Sequence, residues 1–210
     1  AFAKARAEGL APKLDWTKPK PEDLKAGVEA FAKKHPKNIY MLQRRARKAL
    51  TEKKWEAAKA PCRELIELFP NQMDGDSAYL MLARAHRELN ESKEERKVLD
   101  QFVVLTDDAF DVYLRLMELG TEEKEWKSVR SNAERALAVN PLLAAPYRHL
   151  AEAAEALKQT DVAIGAWQTA LKLDPRDPAE AHYRLAQLLH SKNHPDAKRH
   201  LLMSLEEAPR

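Results

Sequence analysis

Cysteine and glycine are scarce in this sequence of 210 residues, which contains one cysteine and five glycines. The single thiol, Cys62, cannot close an internal disulfide, and no group of cysteine and histidine residues surrounds it in the sequence to complete a zinc site. We therefore expect Cys62 to be a buried packing residue. The low glycine content and a charged fraction of 33% favour long helices with exposed polar faces.

Long apolar runs are also missing. The longest segments without a charged residue, Ala136 to Tyr147 and Val162 to Leu171, are shorter than the roughly 20 residues of a membrane-spanning helix. We therefore predict a protein without a membrane span, soluble in the cytoplasm or outside it. The start of the chain, Ala1 to Lys4, has neither an initiator methionine nor an apolar signal core, so we expect a piece of a longer protein.

Catalytic motifs are absent from the sequence, which has no glycine-rich phosphate loop, no nucleophile elbow and no HExxH zinc motif. The nearest approach to a metal motif is His190 with His194, near His182 and His200 in the sequence. Because Ser191 to Asn193 and the following proline indicate a turn, we expect exposed turn histidines and not zinc ligands. The sequence therefore predicts no enzyme activity, no cofactor and no metal.

Charge is distributed unevenly along the chain. Residues 1–63 contain 17 Lys or Arg and 7 Asp or Glu, a balance of +10, whereas residues 64–210 contain 19 and 26, a balance of −7. The densest basic cluster is Arg44 to Lys48, followed by Lys53 and Lys54. Such a cluster can contact phosphate groups or an acidic peptide, or it can be a solvated helix flank.

Prolines recur at a fixed interval. Pro36 and Pro70 are 34 residues apart, and so are Pro141, Pro175 and Pro209 in turn. The gap from Pro70 to Pro141 is 71 residues, two periods plus three, and we place the three additional residues in the loop 71–75. A proline after each apolar stretch ends one helix, so the period predicts two short helices per repeat.

The residues between the prolines follow one pattern, which is most complete from Tyr147 to Pro175. Its apolar positions are Tyr147, Leu150, Ala151, Ala154, Ala163, Trp167 and Ala170, and partial versions occur around Leu42, Leu82, Tyr113 and Leu185. This order resembles the tetratricopeptide repeat (TPR). The resemblance implies an all-α fold, a right-handed superhelix, or solenoid, of helix-turn-helix repeats, in which tryptophans 55, 126 and 167 are core residues.

The resemblance also divides the chain. Residues 21–210 are predicted to form a TPR superhelical domain of about five and a half repeats, because residues 21–34 supply only a second helix. Residues 1–20 are predicted to be a linker or the tail of a preceding region. The last repeat has no polar capping helix after it, which predicts self-association through uncapped ends.

In TPR proteins the first helix of each repeat lines a concave groove. Carried over position by position, the resemblance implies a groove whose side chains are Tyr40, Arg44, Arg47, Leu80, Arg84, Arg87, Arg115, Arg148, His149, Tyr183 and Arg184. Arginine recurs among them, and its planar guanidinium group suits bidentate contacts with carboxylates. We therefore predict another protein or peptide as the partner, bound through an acidic segment or domain edge.

Three functions remain open at this stage. The first is a protein-interaction scaffold. The second is a non-catalytic TPR region of a larger bacterial enzyme such as an extracytoplasmic metallopeptidase, because the linker Leu14 to Trp16 weakly resembles TPR tails that follow such peptidase domains. The third is nucleic-acid binding by the basic first third of the chain, which is the least favoured of the three.

The substitution Ala170→Leu tests the predicted contacts between helices. Helices packed about 8–10 Å apart leave no room for a long side chain where they approach most closely, so we expect the leucine to lower the stability by about 1–3 kcal/mol. A thermal melt measures this change. An unchanged melting curve would remove Ala170 from the close contacts.

Overall fold

The computed structural model describes residues 21–73 and 75–208, with side chains from residue 27 onward, and the regular secondary structure within these ranges is all helix. The predicted linker, residues 1–20, and Pro209 lie outside the described residues. The helices are α1 (Pro21–Lys34), α2 (Ile39–Thr51), α3 (Trp55–Leu68), α4 (Ala78–Glu88), α5 (Ser92–Phe102), α6 (Phe110–Glu122), α7 (Trp126–Val139), α8 (Ala144–Ala156), α9 (Thr160–Lys172), α10 (Pro178–Ser191) and α11 (Ala197–Glu207). None of these helices combines the length and the apolar character that crossing a membrane requires.

The helices repeat with the period of the prolines. The second helix of each repeat is α1, α3, α5, α7 or α9. These helices begin at residues 21, 55, 92, 126 and 160. The intervals between successive starts are 34, 37, 34 and 34 residues. The three additional residues therefore fall between α3 and α5, and the connection after α3, residues 69–77, is the longest between described helices. The placement of the insertion in this loop is confirmed.

The turn inside each helix pair has the same backbone geometry. One residue in each turn has a left-handed conformation, with φ between 53° and 59°, and these residues are Lys53, Asn90, Lys124, Lys158 and Asn193. The amide that follows donates back to the first helix, as Lys54 N does to Ala49 O at 2.8 Å. Because this hydrogen bond caps the end of the first helix, each turn directs the next helix back along the previous one.

Contacts divide the described chain into two compact units, with the boundary between Val98 and Leu99. In the first unit α2 packs against α3, α3 against α4, and α2 against α4. Its core includes Leu42, Ala46, Ala58 and Leu65, all almost fully buried. Cys62 is fully buried among them, and burial raises the pKa of its thiol to about 12. The prediction that Cys62 is a packing residue is confirmed.

In the second unit each helix from α6 to α11 packs against the next one. One core cluster joins Trp167, Ala170 and Leu185, with Ala151 facing the same cluster. Trp167 is only 1% exposed, and its indole Nε1 donates to Glu155 Oε1 at 2.6 Å, so the buried donor is satisfied. Ala151, Ala163 and Ala170 are fully buried, as the repeat pattern predicts.

One helix pair departs from the alanine pattern. Ala154 and Ala163 in the pair α8–α9 correspond, 34 residues earlier, to Gly120 and Val129 in the pair α6–α7. A Cβ atom built on Gly120 would lie 2.8 Å from Val129 Cγ2. The larger side chain on α7 is therefore accommodated by the loss of a side chain on α6, which explains how Val129 occupies a position where small residues are usual.

A double-mutant cycle tests this exchange. We expect Gly120→Ala to lower stability, because a steric cost of about 1–3 kcal/mol exceeds a helix-propensity gain of about 1 kcal/mol. Val129→Ala alone should also be destabilising, because it leaves a cavity. The double variant restores the Ala–Ala pair of α8–α9 and should be more stable than the sum of the two changes predicts, as measured by urea denaturation. Strictly additive free energies would contradict the exchange.

Candidate functional site

Three residues predicted for the groove lie together in the first unit. A pocket of about 580 Å³ is lined by Arg47, Leu50, Thr51, Lys53, Trp55, Gly75, Asp76, Leu80, Met81 and Arg84. Most of the lining residues belong to α2 and α4, the first helices of two successive repeats. These two helices pack against each other, so their side chains meet at the pocket. Leu80 and Arg84 are four residues apart on α4, so both side chains lie on the same helix face.

The pocket carries an excess of positive charge. Arg47, Lys53 and Arg84 contribute three cations, and Asp76 is the one carboxylate among the lining residues. Arg47 Nη2 lies 2.6 Å from Asp76 Oδ2, but both side chains are at least half exposed. An exposed pair of this kind contributes at most about 1 kcal/mol, so a carboxylate from a ligand can compete for Arg47.

Trp55 is part of this pocket, although the repeat pattern places it in the core. Its side chain is half-buried, and the guanidinium carbon of Arg84 lies 5.8 Å from the centre of its ring. The core prediction is confirmed for Trp167 but is wrong for Trp55 and Trp126, which are only half-buried. Both begin a second helix, whereas Trp167 lies in the middle of α9. Position within the helix was the signal that could have separated them.

Two other predicted residues of α2 lie outside the pocket lining. Tyr40 is 50% exposed, and Arg44 is exposed too. No ion pair joins Arg44 to any other described residue, so its guanidinium group is available to a partner. The spacing of Tyr40, Arg44 and Arg47 by four and three residues places them along one face of α2.

Arg87 has a structural contact that the sequence did not predict. Its Nε lies 2.7 Å from Glu95 Oε1, and Glu95 is fully buried although its side chain is a carboxylate. Next to it His86, also buried, contacts Glu91 at 2.5 Å. Lys59 donates to Glu91 at 2.9 Å, and this hydrogen bond lowers the pKa of the Glu91 carboxyl. Arg87 therefore pairs with a buried carboxylate of the chain, next to a second group of charged side chains formed by Lys59, His86 and Glu91.

Replacement of Arg87 should reveal this structural role. We expect Arg87→Ala to lower the stability by about 1.5–3 kcal/mol, because it removes a charged hydrogen bond from a buried carboxylate. Arg44→Ala, at an exposed position on α2, should change the stability by less than about 0.5 kcal/mol. Denaturant midpoints of the two variants measure the contrast. Equal stability of both variants would show that Glu95 does not depend on Arg87.

The predicted arginines of the second unit each lie beside a carboxylate. Arg115 pairs with Glu118 and Arg148 with Glu152, both at 2.9 Å, and Arg184 lies 3.5 Å from Glu155 and from Glu180. A second pocket of about 520 Å³ is lined by Leu114, Glu118, Ala144, Ala145, Arg148, His149, Pro175, Arg176, Asp177 and Glu180. Three carboxylates face two arginines there, so the excess positive charge of the first pocket is not repeated.

The two remaining predicted residues differ in their exposure. His149 is only 5% exposed, and its burial lowers the pKa of the imidazole to about 4, so it is neutral at pH 7. It offers little surface to a partner. Tyr183 is 46% exposed, and its hydroxyl accepts a hydrogen bond from Gln187 Nε2 at 2.9 Å. Tyr183 is therefore the more accessible of the two.

The four histidines near the end of the chain separate into two kinds. His190, in the last turn of α10, and His194, in the turn that follows, are exposed. His182 is buried within α10 and contacts His200 of α11. This contact is not predictable from local sequence patterns, because it joins residues 18 positions apart on two helices. Among the described residues no group of three or more His, Cys, Asp and Glu side chains has the arrangement of a metal site.

Solved structures similar to this chain show which fold it has. A MamA structure matches 80% of the chain and 91% of its own length, with a TM-score of 0.64 and 19% identity. MamA from residue 41 to its end, from Desulfovibrio magneticus RS-1, matches 80% of the chain and 93% of its own length, with a TM-score of 0.60 and 21% identity. YrrB, described as a TPR protein with an unusual peptide-binding site, matches 87% and 92%, with a TM-score of 0.68 and 15% identity.

These likenesses establish the fold, which is that of the tetratricopeptide repeat proteins. The predicted fold class is thereby confirmed as an all-α fold of helical repeats. No family model matches the chain, and no curated protein matches it. The fold alone does not specify a ligand, because binding depends on the side chains that the fold presents.

Proposed function

We propose that this protein is an interaction scaffold that binds an acidic peptide segment or domain edge along the first helices of its first unit. The observation that carries the proposal is the pocket between α2 and α4, where three cationic side chains face one exposed carboxylate beside a half-buried tryptophan. A peptide with a carboxylate next to an apolar side chain complements both features. Catalysis is not part of the proposed function.

The cations of the pocket differ in how readily they can bind a carboxylate. Lys53 has no ion pair with any described residue and lies in the turn between α2 and α3. Arg84 is held over the ring of Trp55, so less side-chain entropy is lost when its guanidinium group binds a ligand. Arg47 must exchange Asp76 for the ligand, at a small cost because that pair is exposed.

Apolar side chains supply the rest of the pocket surface. Leu50 and Met81 are largely buried beneath it, and Leu80 is partly exposed. A leucine, methionine or aromatic residue beside the acidic residue of the ligand would cover them. The structure of YrrB, described as having a peptide-binding site, supports a peptide as the ligand of a similar fold.

The second unit has a different part in this proposal. Its predicted arginines already lie beside carboxylates of the chain, and its pocket has three acidic residues. An acidic ligand gains less there, because the three carboxylates of this pocket offset the charge of its two arginines. We therefore propose that Arg115, Arg148 and Arg184 orient neighbouring side chains, and that Tyr183 provides an exposed contact.

Self-association through the ends of the repeat array remains a prediction. The described residues best placed for it are Leu201, Leu202 and Leu205 of α11, which are between 45% and 69% exposed. Sedimentation velocity at low ionic strength tests this prediction over a range of protein concentrations. A monomer at every concentration would contradict it.

Binding of designed peptides tests the proposed function. The probes are two fluorescent peptide pools with the same leucine and aromatic positions, one with Asp and Glu at the remaining positions and one with Lys and Arg. We expect the acidic pool to bind in fluorescence anisotropy and the basic pool to bind at least tenfold more weakly. Binding of the acidic pool should weaken with rising salt, because the contacts are partly exposed.

Matched charge reversals locate the binding. Arg84→Glu should weaken binding of the acidic pool by about tenfold or more, equivalent to about 1.4 kcal/mol. Arg63→Glu changes the net charge equally, but Arg63 is an exposed residue of α3 outside the pocket lining, so this variant should bind nearly as the parent does. Equal losses in both variants would show a non-specific charge effect. Arg87 is unsuitable for reversal because of its contact with buried Glu95.

A further inference from the structure

The contact between His182 and His200 is the strongest feature of the structure that the proposed function leaves unused. His182 lies on α10 and is 8% exposed, while His200 lies on α11 and is partly exposed. Their Nδ1 atoms are 2.9 Å apart, and the ring centres are 5.1 Å apart with the planes inclined by 29°. The packing of α10 against α11 therefore brings two ring nitrogens within hydrogen-bonding distance of each other.

The short distance between the two Nδ1 atoms leaves room for at most one proton between them. At least one of the facing nitrogens therefore carries a lone pair. Neutral imidazole nitrogen is a common protein ligand for divalent transition metals.

The distance between the nitrogens fits two ligands of one ion. Metal–nitrogen bonds to histidine are about 2.0–2.1 Å long, so an ion bound to both atoms would hold them at an angle of about 90°, the angle between neighbouring ligands in octahedral and square-planar complexes. A tetrahedral ion would need the nitrogens farther apart. This geometry favours Ni²⁺ or Cu²⁺ over Zn²⁺.

We propose that His182 and His200 form a two-histidine site for a divalent transition ion with octahedral or square-planar coordination. Because no third His, Cys, Asp or Glu completes a metal-binding group among the described residues, water would complete the coordination of the ion. The site is therefore open and exchangeable, unlike a closed structural zinc site. The ion would link α10 to α11 and stabilise the last helix pair of the described chain.

Calorimetric titration of the untagged full chain with Ni²⁺ at pH 7.5 tests the site. We expect saturable binding of one ion per chain, and we expect His182→Gln and His200→Gln each to weaken it by about tenfold or more. The control is the double variant His190→Gln, His194→Gln, which removes the two exposed histidines and should bind as the parent does. Absence of binding to the parent, or binding that depends on the control pair, would overturn the proposal.

A second measurement does not rely on the variants folding. The electron paramagnetic resonance spectrum of the parent chain with one equivalent of Cu²⁺ should show hyperfine coupling to two equatorial nitrogens. Ni²⁺ should also raise the melting temperature of the parent chain, because an ion that binds only the folded state stabilises it. Coupling to a single nitrogen, or an unchanged melting temperature at saturating Ni²⁺, would show that the two rings form only a hydrogen-bonded pair.

Discussion

The close approach of the two helices in each pair is the constraint on which the rest of the structure depends. Small or absent side chains permit this close approach. In the pair α8–α9 the contact is made by the fully buried Ala154 and Ala163. In the pair α6–α7 it is made by Gly120, which lies opposite Val129. The left-handed residue in each turn returns the second helix along the first. With these two features repeated, the first helices become neighbours, as α2 and α4 are, and their exposed side chains form a shared surface.

Much of the fold is predictable from the sequence, because it depends on local features with a fixed period. The prolines and the alanine positions specify where helices end and where they meet, and Trp167 and Ala170 lie in the core as predicted. The half-buried positions of Trp55 and Trp126 are less predictable, because the first residue of a helix can face either the core or the solvent.

The candidate site is only partly predictable. The position of Arg47, Leu80 and Arg84 on first helices indicates their common location, since helix periodicity fixes which face they occupy. Their partners depend on contacts between residues far apart in the sequence, such as Asp76 for Arg47 and buried Glu95 for Arg87. These contacts separate Arg47, whose carboxylate partner is exposed, from Arg87, whose partner is buried.

The central claim is that an acidic peptide binds between α2 and α4, and nuclear magnetic resonance tests it most directly. Four indole N–H signals are expected from the four tryptophans, and single Trp→Phe variants assign them. On titration with the acidic peptide pool, the signal of Trp55 should shift most, together with the side-chain signal of Arg84, while that of buried Trp167 should stay in place. Shifts confined to Trp126 or Trp167 would place the binding surface elsewhere and contradict the account.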